Sequence, residues 1–412
     1  MIEFYSDRSP IEHLDRGLLA ALQEQGLGKT QEKQNVHFCG LVLTDDGRVC
    51  VFLPRNLDDK TELNAQLTMR ALAKFGSETS NRDQLDFGNE SNTGHLATIA
   101  NIAQDFKTNG LYLERTKRLT RNRGKIDWRR TIARESSILS EQGPIYTDFE
   151  TTVGSNNSAN ILASIQAMVI SEIHSLHGWW IPEISSRKFE ISNIKTPKAI
   201  TRHNLIKKLK INLSTLFTNR AIRLSHWLIA YLNKDNGASN GPHIFGVQDF
   251  HAVWEVMLRS TITNVEHGWN RKLAQPAYGK VSGGISVVGN RGLRTDIIVR
   301  HQTGHAIIDA KYYAASDASN APSVDDFAKQ ILYESVLRAE LGPKHEIRNM
   351  YVFPSSTHAN GTLTEMFMLR KNGARIADIP AVECKYLSVS EIMQAYCQGR
   401  SQVEFNNALG LC

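Results

Sequence analysis

The order of apolar patterns after Gly246 constrains the fold of this 412-residue chain more than any other feature. Residues 247–262 carry apolar side chains at helical spacing, and β-rich runs with Gly-containing turns follow them. The three runs are GGISVV (283–288), LRTDIIVR (293–300) and HAIIDAKYY (305–313). A helical pattern over 325–341 comes next. Two further apolar runs and a final helix, which Ser388 would cap, complete the order. This α-β-β-β-α-β-β-α order predicts an α/β domain over 241–412.

The rest of the chain predicts two further regions. Residues 38–54 read as two β-rich runs around an Asp45-Asp46-Gly47 turn, and a helix from Pro10 to Gln25 precedes them. Helical spacing recurs over 63–106, 158–177 and 205–217. The Asn-, Gly-, Ser- and Pro-containing stretch 233–243 reads as a loop and a domain boundary. We therefore expect an N-terminal β/α module (1–110), a basic, mainly helical middle region (111–240) and the C-terminal domain (241–412). The fold class expected for the whole chain is α/β (α+β).

Composition places the chain among globular proteins. Hydrophobic residues make up 41% and charged residues 22%, which excludes a disordered chain. No apolar run reaches the roughly 18 residues of a membrane span, and the first residues lack the basic and apolar regions of a signal peptide. We expect a cytoplasmic protein. The net charge of +6 favours a polyanionic partner, but only weakly.

The spacing of the relevant residues argues against two kinds of site, a nucleotide site and a structural zinc site. The sequence Gly26-Leu27-Gly28-Lys29-Thr30 imitates the end of a phosphate-binding loop, yet Gln23 stands where the first glycine belongs. The five cysteines show no CxxC pair and no histidine at zinc spacing, so we expect reduced thiols. The sequence thus predicts neither a nucleotide cofactor nor a structural zinc.

The run HAIIDAKYY carries the strongest chemical signal. Alternate residues of a strand share a face, so Asp309 and Lys311 project together, and Ile307 shares their face. Residues 301–304 read as a hairpin turn that would bring Asp296, on the preceding strand, close to Asp309. Two carboxylates can hold Mg²⁺, and an ammonium group can stabilise charge on a phosphate, as phosphodiester hydrolysis requires. By itself, an acid-x-Lys pair is more often a solvent-exposed edge or a simple ion pair.

The pattern resembles the PD-(D/E)XK nuclease superfamily, in which an acid on one strand precedes an acid-x-Lys on the next. Thr295-Asp296 and Asp309-Ala310-Lys311 match it, with Thr295 where the name-giving proline often stands. The resemblance implies a metal held by Asp296 and Asp309, with Lys311 as a catalytic residue. Such nucleases often place a further glutamate on the preceding helix, where Glu255 stands, which implies Glu255 as an additional metal ligand. They often carry Gln and Tyr on the following helix; the residues that stand there are Gln330 and Tyr333.

Several further motifs narrow the resemblance. Residues 38–54, GKIDWRRTI at 124–132, LRTDIIV, IIDAKYY and KQILYES together look like the McrC-like, LlaJI-type restriction endonuclease subunits. That resemblance implies action on double-stranded DNA in a restriction or phage-defence system, with an adjacent McrB-like AAA+ GTPase as partner. Mg²⁺ is the implied cofactor, for which Mn²⁺ can substitute.

Basic residues are densest in the segment ERTKRLTRNRGKIDWRR, which we call the basic segment. Its basic residues are Arg115, Lys117, Arg118, Arg121, Arg123, Lys125, Arg129 and Arg130, against only Glu114 and Asp127. This segment is the predicted site of phosphate contact. A second basic group around Lys207 and Arg220 is an alternative, although helical sequence of this kind is often an exposed face.

The sequence therefore predicts a metal-dependent DNA endonuclease subunit. Two alternatives stay open at this point. One is a non-catalytic DNA-binding adaptor subunit that keeps the fold without the activity, and the other is a stand-alone restriction enzyme that reads its own site. A homo-oligomer is compatible with each of these.

Overall fold

A computed structural model provides the coordinates of the protein. It describes residues 2–24, 35–44, 46–80, 93–157, 161–192, 194, 196, 197, 200–234, 243–288, 292–356 and 361–412. The chain divides into two compact units, the first made of residues 1–97 and 239–412 and the second of residues 98–238. In the part of the chain described, no helix is long and apolar enough to cross a membrane.

The strands and helices are numbered in chain order. The strands are β1 (Ile2–Ser6), β2 (Ser9–Pro10), β3 (Asn35–Val36), β4 (Cys39–Leu43), β5 (Val49–Leu53), β6 (Glu114–Arg121), β7 (Lys125–Ile126), β8 (Ser137–Ser140), β9 (Gly143–Tyr146), β10 (Glu150–Asn157), β11 (His243–Val247), β12 (Ala277–Gly279), β13 (Ile285–Val287), β14 (Ile297–Arg300), β15 (Gly304–Ala310), β16 (Glu346–Ser355), β17 (Glu365–Met366) and β18 (Val382–Ser388). The helices are α1 (Arg16–Glu24), α2 (Glu62–Ser80), α3 (Thr93–Asn109), α4 (Trp128–Arg134), α5 (Ile161–His177), α6 (Lys188–Ser192), α7 (Arg202–Leu213), α8 (Asn219–Lys234), α9 (Phe250–Thr261), α10 (Val324–Leu341), α11 (Val389–Gln398) and α12 (Val403–Leu409).

The first unit contains a four-stranded sheet in the order β1-β5-β4-β11. Every residue of β4 is buried, as expected for a strand covered on both faces. The α1 side chains Leu18 and Leu22 pack against Phe38 and Phe52 in the core of this sheet. The pairing of β4 with β11 joins the N-terminal part of the chain to residues 243–247, so this sheet combines strands from the beginning and the middle of the sequence.

A five-stranded mixed sheet in the order β14-β15-β16-β18-β17 forms the C-terminal part of the same unit. The pairs β15–β16 and β16–β18 are parallel, whereas β14 and β17 pair antiparallel at the two edges. Gly304 opens β15 because a Cβ there would lie 2.1 Å from the carbonyl oxygen of Glu346 on β16. On one face, Ile307 of β15 packs with Ile298 of β14 and Leu337 of α10. This sheet is the framework on which the acid and lysine residues stand.

Contacts within the first unit tie these two sheets together. The Tyr312 hydroxyl, just after β15, accepts a hydrogen bond of 2.7 Å from the Arg55 backbone N–H, just after β5. The Trp254 indole N–H of α9 donates to the Val352 carbonyl of β16 at 3.3 Å. The end of the acid-x-Lys strand is therefore held by residues from the N-terminal sheet.

The second unit combines helices α5, α7 and α8 with strands. Its sheets are the three-stranded β6-β10-β7 and the two-stranded β8-β9. Within it, the Arg220 guanidinium binds Asp105 through both of its oxygens and donates to the Gly110 carbonyl. Arg220 thus has a structural ion pair, which removes it from the second basic group as a free phosphate contact.

The predicted α/β class is confirmed, with local differences. The helices predicted over 247–262 and 325–341, the strands of 293–300 and 305–313, and the Ser388 cap of the last long helix are all present. The run 283–288 is a strand, but it pairs only with β12 in a separate hairpin and does not enter the five-stranded sheet. Strand β11 was not predicted, because a five-residue strand beside a Gly- and Asn-rich loop gives no periodic signal.

Parts of the predicted organisation remain predictions. The three consecutive domains stay a prediction, while the compact units group residues 1–97 with residues 239–412. The imitation of a phosphate-binding loop at 26–30 and most of the loop 233–243 lie outside the described residues. Among the described cysteines none forms a disulfide, and Cys39, Cys50 and Cys384 are buried.

Asp7 gives a testable pH dependence of stability. It is 4% exposed, and burial raises its pKa to about 6, although Arg8, Arg55 and a hydrogen bond from Tyr312 act in the opposite direction. Because the folded state then binds a proton more tightly than the unfolded state, stability falls as pH rises from about 4 to about 6. The amide that Asp7→Asn introduces cannot titrate. The free energy of unfolding of Asp7→Asn, relative to the native protein, should therefore rise by up to roughly 3 kcal/mol between pH 4 and pH 7.

Urea unfolding at several pH values measures this difference. Asp59→Asn, a change at an exposed aspartate of the same region, is the control and should follow the native profile. Parallel profiles for Asp7→Asn and the native protein would contradict the raised pKa.

Candidate active site

Asp296 and Asp309 meet where β14 and β15 adjoin. The antiparallel register pairs Ile297 with Ile308, so Asp296, one residue before β14, faces Asp309 near the end of β15. The Ala310 backbone N–H donates a hydrogen bond of 2.9 Å to Oδ2 of Asp296. The hairpin turn predicted at 301–304 is present, with the His301 N–H bonded to the Gly304 carbonyl at 2.9 Å. The structure thus brings together the two acids that the sequence predicted as a pair.

These two carboxyl groups repel each other in a buried place. Burial raises the pKa of Asp296 well above its usual range, and the charges of Asp309 and Glu255 raise it further. The hydrogen bond from Ala310 offsets only part of this effect. A pair of like charges in such a place is stable only when a proton or a cation lies with it. The pair therefore has the electrostatic character of a cation site.

Lys311 lies between two carboxylates. Its Nζ is 3.0 Å from Oδ2 of Asp309 and 2.8 Å from Oδ1 of Asp326, and all three side chains are less than one-fifth exposed. Burial alone would lower the pKa of Lys311, but Asp309 and Asp326 outweigh it and hold that pKa above its usual value. Lys311 is therefore a fixed positive charge beside the acid pair.

Asp326 was not singled out from the sequence. It is the third residue of α10 and forms a capping box with Ser323, whose N–H and Oγ both lie 3.0 Å from Oδ2. Its other oxygen binds Lys311. The capping-box spacing Ser-x-x-Asp was readable, but its proximity to Lys311 depends on how α10 returns to the sheet.

Glu255 lies on α9 and is paired with Arg259 of the same helix. Burial raises the pKa of Glu255, the Arg259 charge lowers it in part, and the charge of Asp309 raises it. The Arg259 guanidinium also donates to the Asp296 backbone carbonyl, at 3.1 Å from Nε and 2.8 Å from Nη2. Glu255 is thus within electrostatic range of the acid pair, and its role as a metal ligand stays a prediction. Arg259, which the sequence did not indicate, joins α9 to the backbone of Asp296.

Gln330 and Tyr333 lie on α10. Burial raises the pKa of the half-buried Tyr333, and the charges of Asp309 and Asp296 raise it further, so Tyr333 is within electrostatic range of the acid pair. Gln330 is 1% exposed, and its Oε1 has no hydrogen-bond partner among the described residues. Tyr351, which pairs with Asp309 in the β15–β16 register, is also buried with its hydroxyl unpartnered in that set. These polar groups extend the site, and the catalytic roles predicted for Gln330 and Tyr333 stay predictions.

The basic segment lies in the second unit. Arg123, Lys125 and Arg129 are exposed, whereas Arg121 binds Glu135 at 2.7 Å and Arg130 lies 3.6 Å from Asp127. Arg115, Lys117 and Arg118 stand on β6, and their side chains lie outside what the structure describes. Phosphate contact by this segment stays a prediction, supported by its three exposed cations.

The oxygen donors of the acid pair fit Mg²⁺ better than a softer metal. Carboxylate oxygens select hard cations, and Mg²⁺ in phosphoryl-transfer sites commonly takes one or two carboxylates, water and the substrate phosphate. Among the described residues, no three His, Cys, Asp or Glu side chains converge as a preformed metal site. A two-carboxylate site completed by substrate fits this geometry, and a closed structural metal site does not.

The comparisons with known proteins agree with this geometry. The model of the LlaJI restriction endonuclease family matches residues 38–390, a range that includes Asp296, Asp309 and Lys311. The protein is therefore a restriction nuclease. The chain belongs to the LlaJI restriction endonuclease family.

Two solved structures were also compared with the chain. A refined half-complex from a tetradecameric assembly of Thermococcus gammatolerans McrB AAA+ hexamers with bound McrC gives a TM-score of 0.46 at 14% identity, covering 99% of this chain and 100% of that one. A cryo-EM structure of the Thermococcus gammatolerans McrBC complex gives 0.29 at 12% identity, covering 63% and 86%. No curated protein matches the sequence significantly.

Asp326 should be required to position Lys311. In Asp326→Asn one of the two charged partners of the ammonium is lost, so we expect the turnover rate kcat for DNA cleavage to fall roughly 10- to 100-fold, as for loss of a hydrogen bond to a charged group. KM for DNA should change little, because Asp326 is expected to act by positioning Lys311 and not by contacting the DNA itself. Cleavage assays over a range of DNA concentrations separate the two parameters.

Ser323→Ala is the matched control for helix capping. It removes the Oγ contacts of the capping box and should cost about 1 kcal/mol of stability, yet it leaves the Asp326–Lys311 ion pair in place. Equal losses of kcat in Ser323→Ala and Asp326→Asn would show that Asp326 only caps α10.

Glu255→Gln tests whether the charge on α9 is needed. The amide oxygen of this variant can still accept from Arg259, so the melting temperature should barely change, while cleavage should fall at least tenfold if the carboxylate helps hold the cation. Glu340→Gln, at an exposed position of α10, should leave cleavage unaltered. Native rates in Glu255→Gln would remove Glu255 from the site and leave Asp296, Asp309 and Lys311 in it.

Proposed function

We propose that the chain is a Mg²⁺-dependent endonuclease of the PD-(D/E)XK type that hydrolyses phosphodiester bonds of double-stranded DNA in a restriction or phage-defence system. One observation carries the proposal. Two carboxylates, Asp296 and Asp309, adjoin at the end of a central strand, and the ammonium of Lys311 lies 3.0 Å from one of them. The family membership already makes the chain a restriction nuclease, and the metal and the substrate are the further steps.

The acidic and the basic residues of the site have different proposed roles. Asp296 and Asp309 would hold the cation, and Arg259 fixes the backbone of Asp296 while Ala310 fixes its carboxylate. When bound, Mg²⁺ would supply positive charge to the scissile phosphate and acidify a water molecule. Lys311 can donate a hydrogen bond to a phosphate oxygen or to the attacking water, and its raised pKa keeps it protonated over the working pH range.

The partner belongs to the same proposal. The motifs shared with McrC-like subunits support a McrB-like AAA+ GTPase that works with this chain on DNA. McrB and McrC assemble in the two Thermococcus gammatolerans complexes. A stand-alone restriction enzyme would cut without such a partner, so cleavage measured with and without a McrB-like GTPase separates the two forms.

The adaptor alternative is the less favoured one. A subunit that only binds DNA has no need of two repelling carboxylates, because an unrelieved buried charge pair destabilises the fold. The intact pair of Asp296 and Asp309, with Lys311 beside it, is therefore better explained by catalysis.

Asp309→Asn and Lys311→Met should each abolish cleavage, by at least a hundredfold, while circular dichroism and the melting temperature remain close to native. The reason is that both side chains act on the cation and phosphate, while the core contacts of Ile307 and Ile308 are untouched. Plasmid cleavage with Mg²⁺ in the presence of the partner is the measurement. Lys329→Met, a change at an exposed lysine on α10, is the control and should cut normally.

Metal dependence is tested in the same assay. Mn²⁺ should replace Mg²⁺, and Ca²⁺ should permit binding with little cleavage, because it orders water less tightly. Full activity in excess chelator would overturn the metal mechanism, and native cleavage by Asp309→Asn would overturn the site.

A further inference from the structure

An exposed hairpin precedes the first acid of the site. Strands β12 and β13 pair antiparallel, and residues 276–288, which we call the hairpin arm, form no part of either large sheet. Its turn is closed by the Lys280 N–H bonding to Gly284 at 3.0 Å, with Gly283 and Gly284 in the left-handed region. Tyr278 is 71% and Ile285 is 75% exposed, and Val281 at the turn is fully exposed. Isolated two-stranded hairpins are marginal in water, so this amount of exposed apolar surface indicates a binding surface.

The charge of this part of the chain is entirely positive. Between Glu266 and Asp296 the sequence contains no Asp or Glu and five Lys or Arg residues. Arg271 precedes the arm and Lys280 stands at its turn, and both are exposed. This surface is apolar, and all of its charged residues are basic. Such a surface is better suited to bind a polyanion that also exposes apolar groups than to bind an ordinary protein surface.

The arm is anchored directly at the active site. Asn270, which precedes the arm, donates from Nδ2 to the Thr295 carbonyl at 3.1 Å and accepts from the Thr295 N–H at 3.0 Å. Thr295 immediately precedes Asp296. A cavity of about 130 Å³ beside this anchor is lined by Glu266, Trp269 and Asp296 among others. Any substrate held at Asp296 therefore lies at the base of the arm.

The dimensions of the arm match a DNA groove. Five residues from Pro276 to Lys280 span roughly 15 Å at the usual rise of a strand. The major groove of B-form DNA is about 12 Å wide and admits a two-stranded β-ribbon. Apolar side chains at the tip of such an element contact sugars and base edges, while basic side chains beside it contact phosphates.

We propose that the hairpin arm binds a groove of the duplex DNA that the active site cuts, with Arg271 and Lys280 on phosphates and Tyr278 and Val281 inserted toward the bases. This inference rests on the proposed function, since it names the contact that holds the substrate. It assigns substrate binding to a surface in the same compact unit as the acid pair, in addition to the basic segment of the second unit.

The test measures binding separately from cleavage. All variants are made in the Asp309→Asn background, and the dissociation constant for a short DNA duplex is measured over a range of salt concentrations. Arg271→Ala with Lys280→Ala should lower the slope of log Kd against log salt by roughly two units, about one per lost phosphate contact. Tyr278→Ser with Val281→Ser should weaken binding at least tenfold at constant slope, because no charge is lost.

The control removes one arginine and one lysine elsewhere in the same unit. Lys344 precedes β16 and Arg370 follows β17, so both lie toward the end of the sheet's strands opposite to Asp309, and both are exposed. Lys344→Ala with Arg370→Ala should leave the affinity and its salt slope unchanged.

Parent-like affinity and slope in both arm variants would overturn the proposal. So would arm variants that lose self-association or partner binding while holding DNA normally, since the arm would then be a protein contact. If the native chain fails to cleave DNA but the arm variants bind it more weakly, the arm survives and the nuclease proposal fails. If the native chain cleaves DNA but the arm variants bind it normally, the nuclease proposal survives and the arm proposal fails.

Discussion

The repulsion between Asp296 and Asp309 is the interaction on which the rest of the site depends. The antiparallel register of β14 and β15 places the two carboxyl groups side by side in a buried position, where their mutual charge is weakly screened. The fold relieves this only in part, through the Ala310 N–H on one acid and Lys311 on the other. The remaining unfavourable charge would favour a cation beside the pair, as the proposed Mg²⁺ site requires.

Neighbouring side chains stabilise the unfavourable arrangement of this acid pair. Arg259 holds the backbone of Asp296 from α9, and Asp326 holds Lys311 from the first turn of α10. Both contacts involve charged groups that are themselves part-buried, so neither side chain is free to rotate away. Below them, Ile307 packs into an apolar cluster that fixes β15. A site that stores like-charge repulsion needs this rigidity, because any local loosening would let the two acids separate.

The basic character of the chain is distributed less simply than its net charge suggests. Arg121 and Arg220, from the two basic groups of the sequence, are bound by acidic side chains and stabilise the second unit. The exposed cations near the active site lie in a stretch, between Glu266 and Asp296, whose sequence contains no Asp or Glu. Sequence density of Lys and Arg therefore identifies candidate surfaces, and only the ion pairs in the fold show which of those charges are available to a ligand.

Much of the active-site core was readable from the chain itself. The two-residue period of HAIIDAKYY places Asp309 and Lys311 on one face, and the short turn before it forces β14 to run back alongside, which brings Asp296 into register. These are local constraints of strand geometry, so they hold whatever surrounds the strands. The helices that flank the sheet were predicted for the same reason, since their apolar spacing is a local property.

Tertiary structure alone decided which distant residues complete the site. Asp326, Tyr351 and Arg259 reach the acid pair because α10 returns across the sheet, β16 adds in parallel beside β15, and α9 packs on their strands. Strand β11 likewise pairs with β4 across about two hundred residues of sequence, a contact that no local period encodes. The sequence by itself determined β14 and β15, their faces and the acid-x-Lys motif, because these follow from the geometry of a few consecutive residues. The partners of those residues depend on long-range topology, which is settled only when the whole hydrophobic core forms.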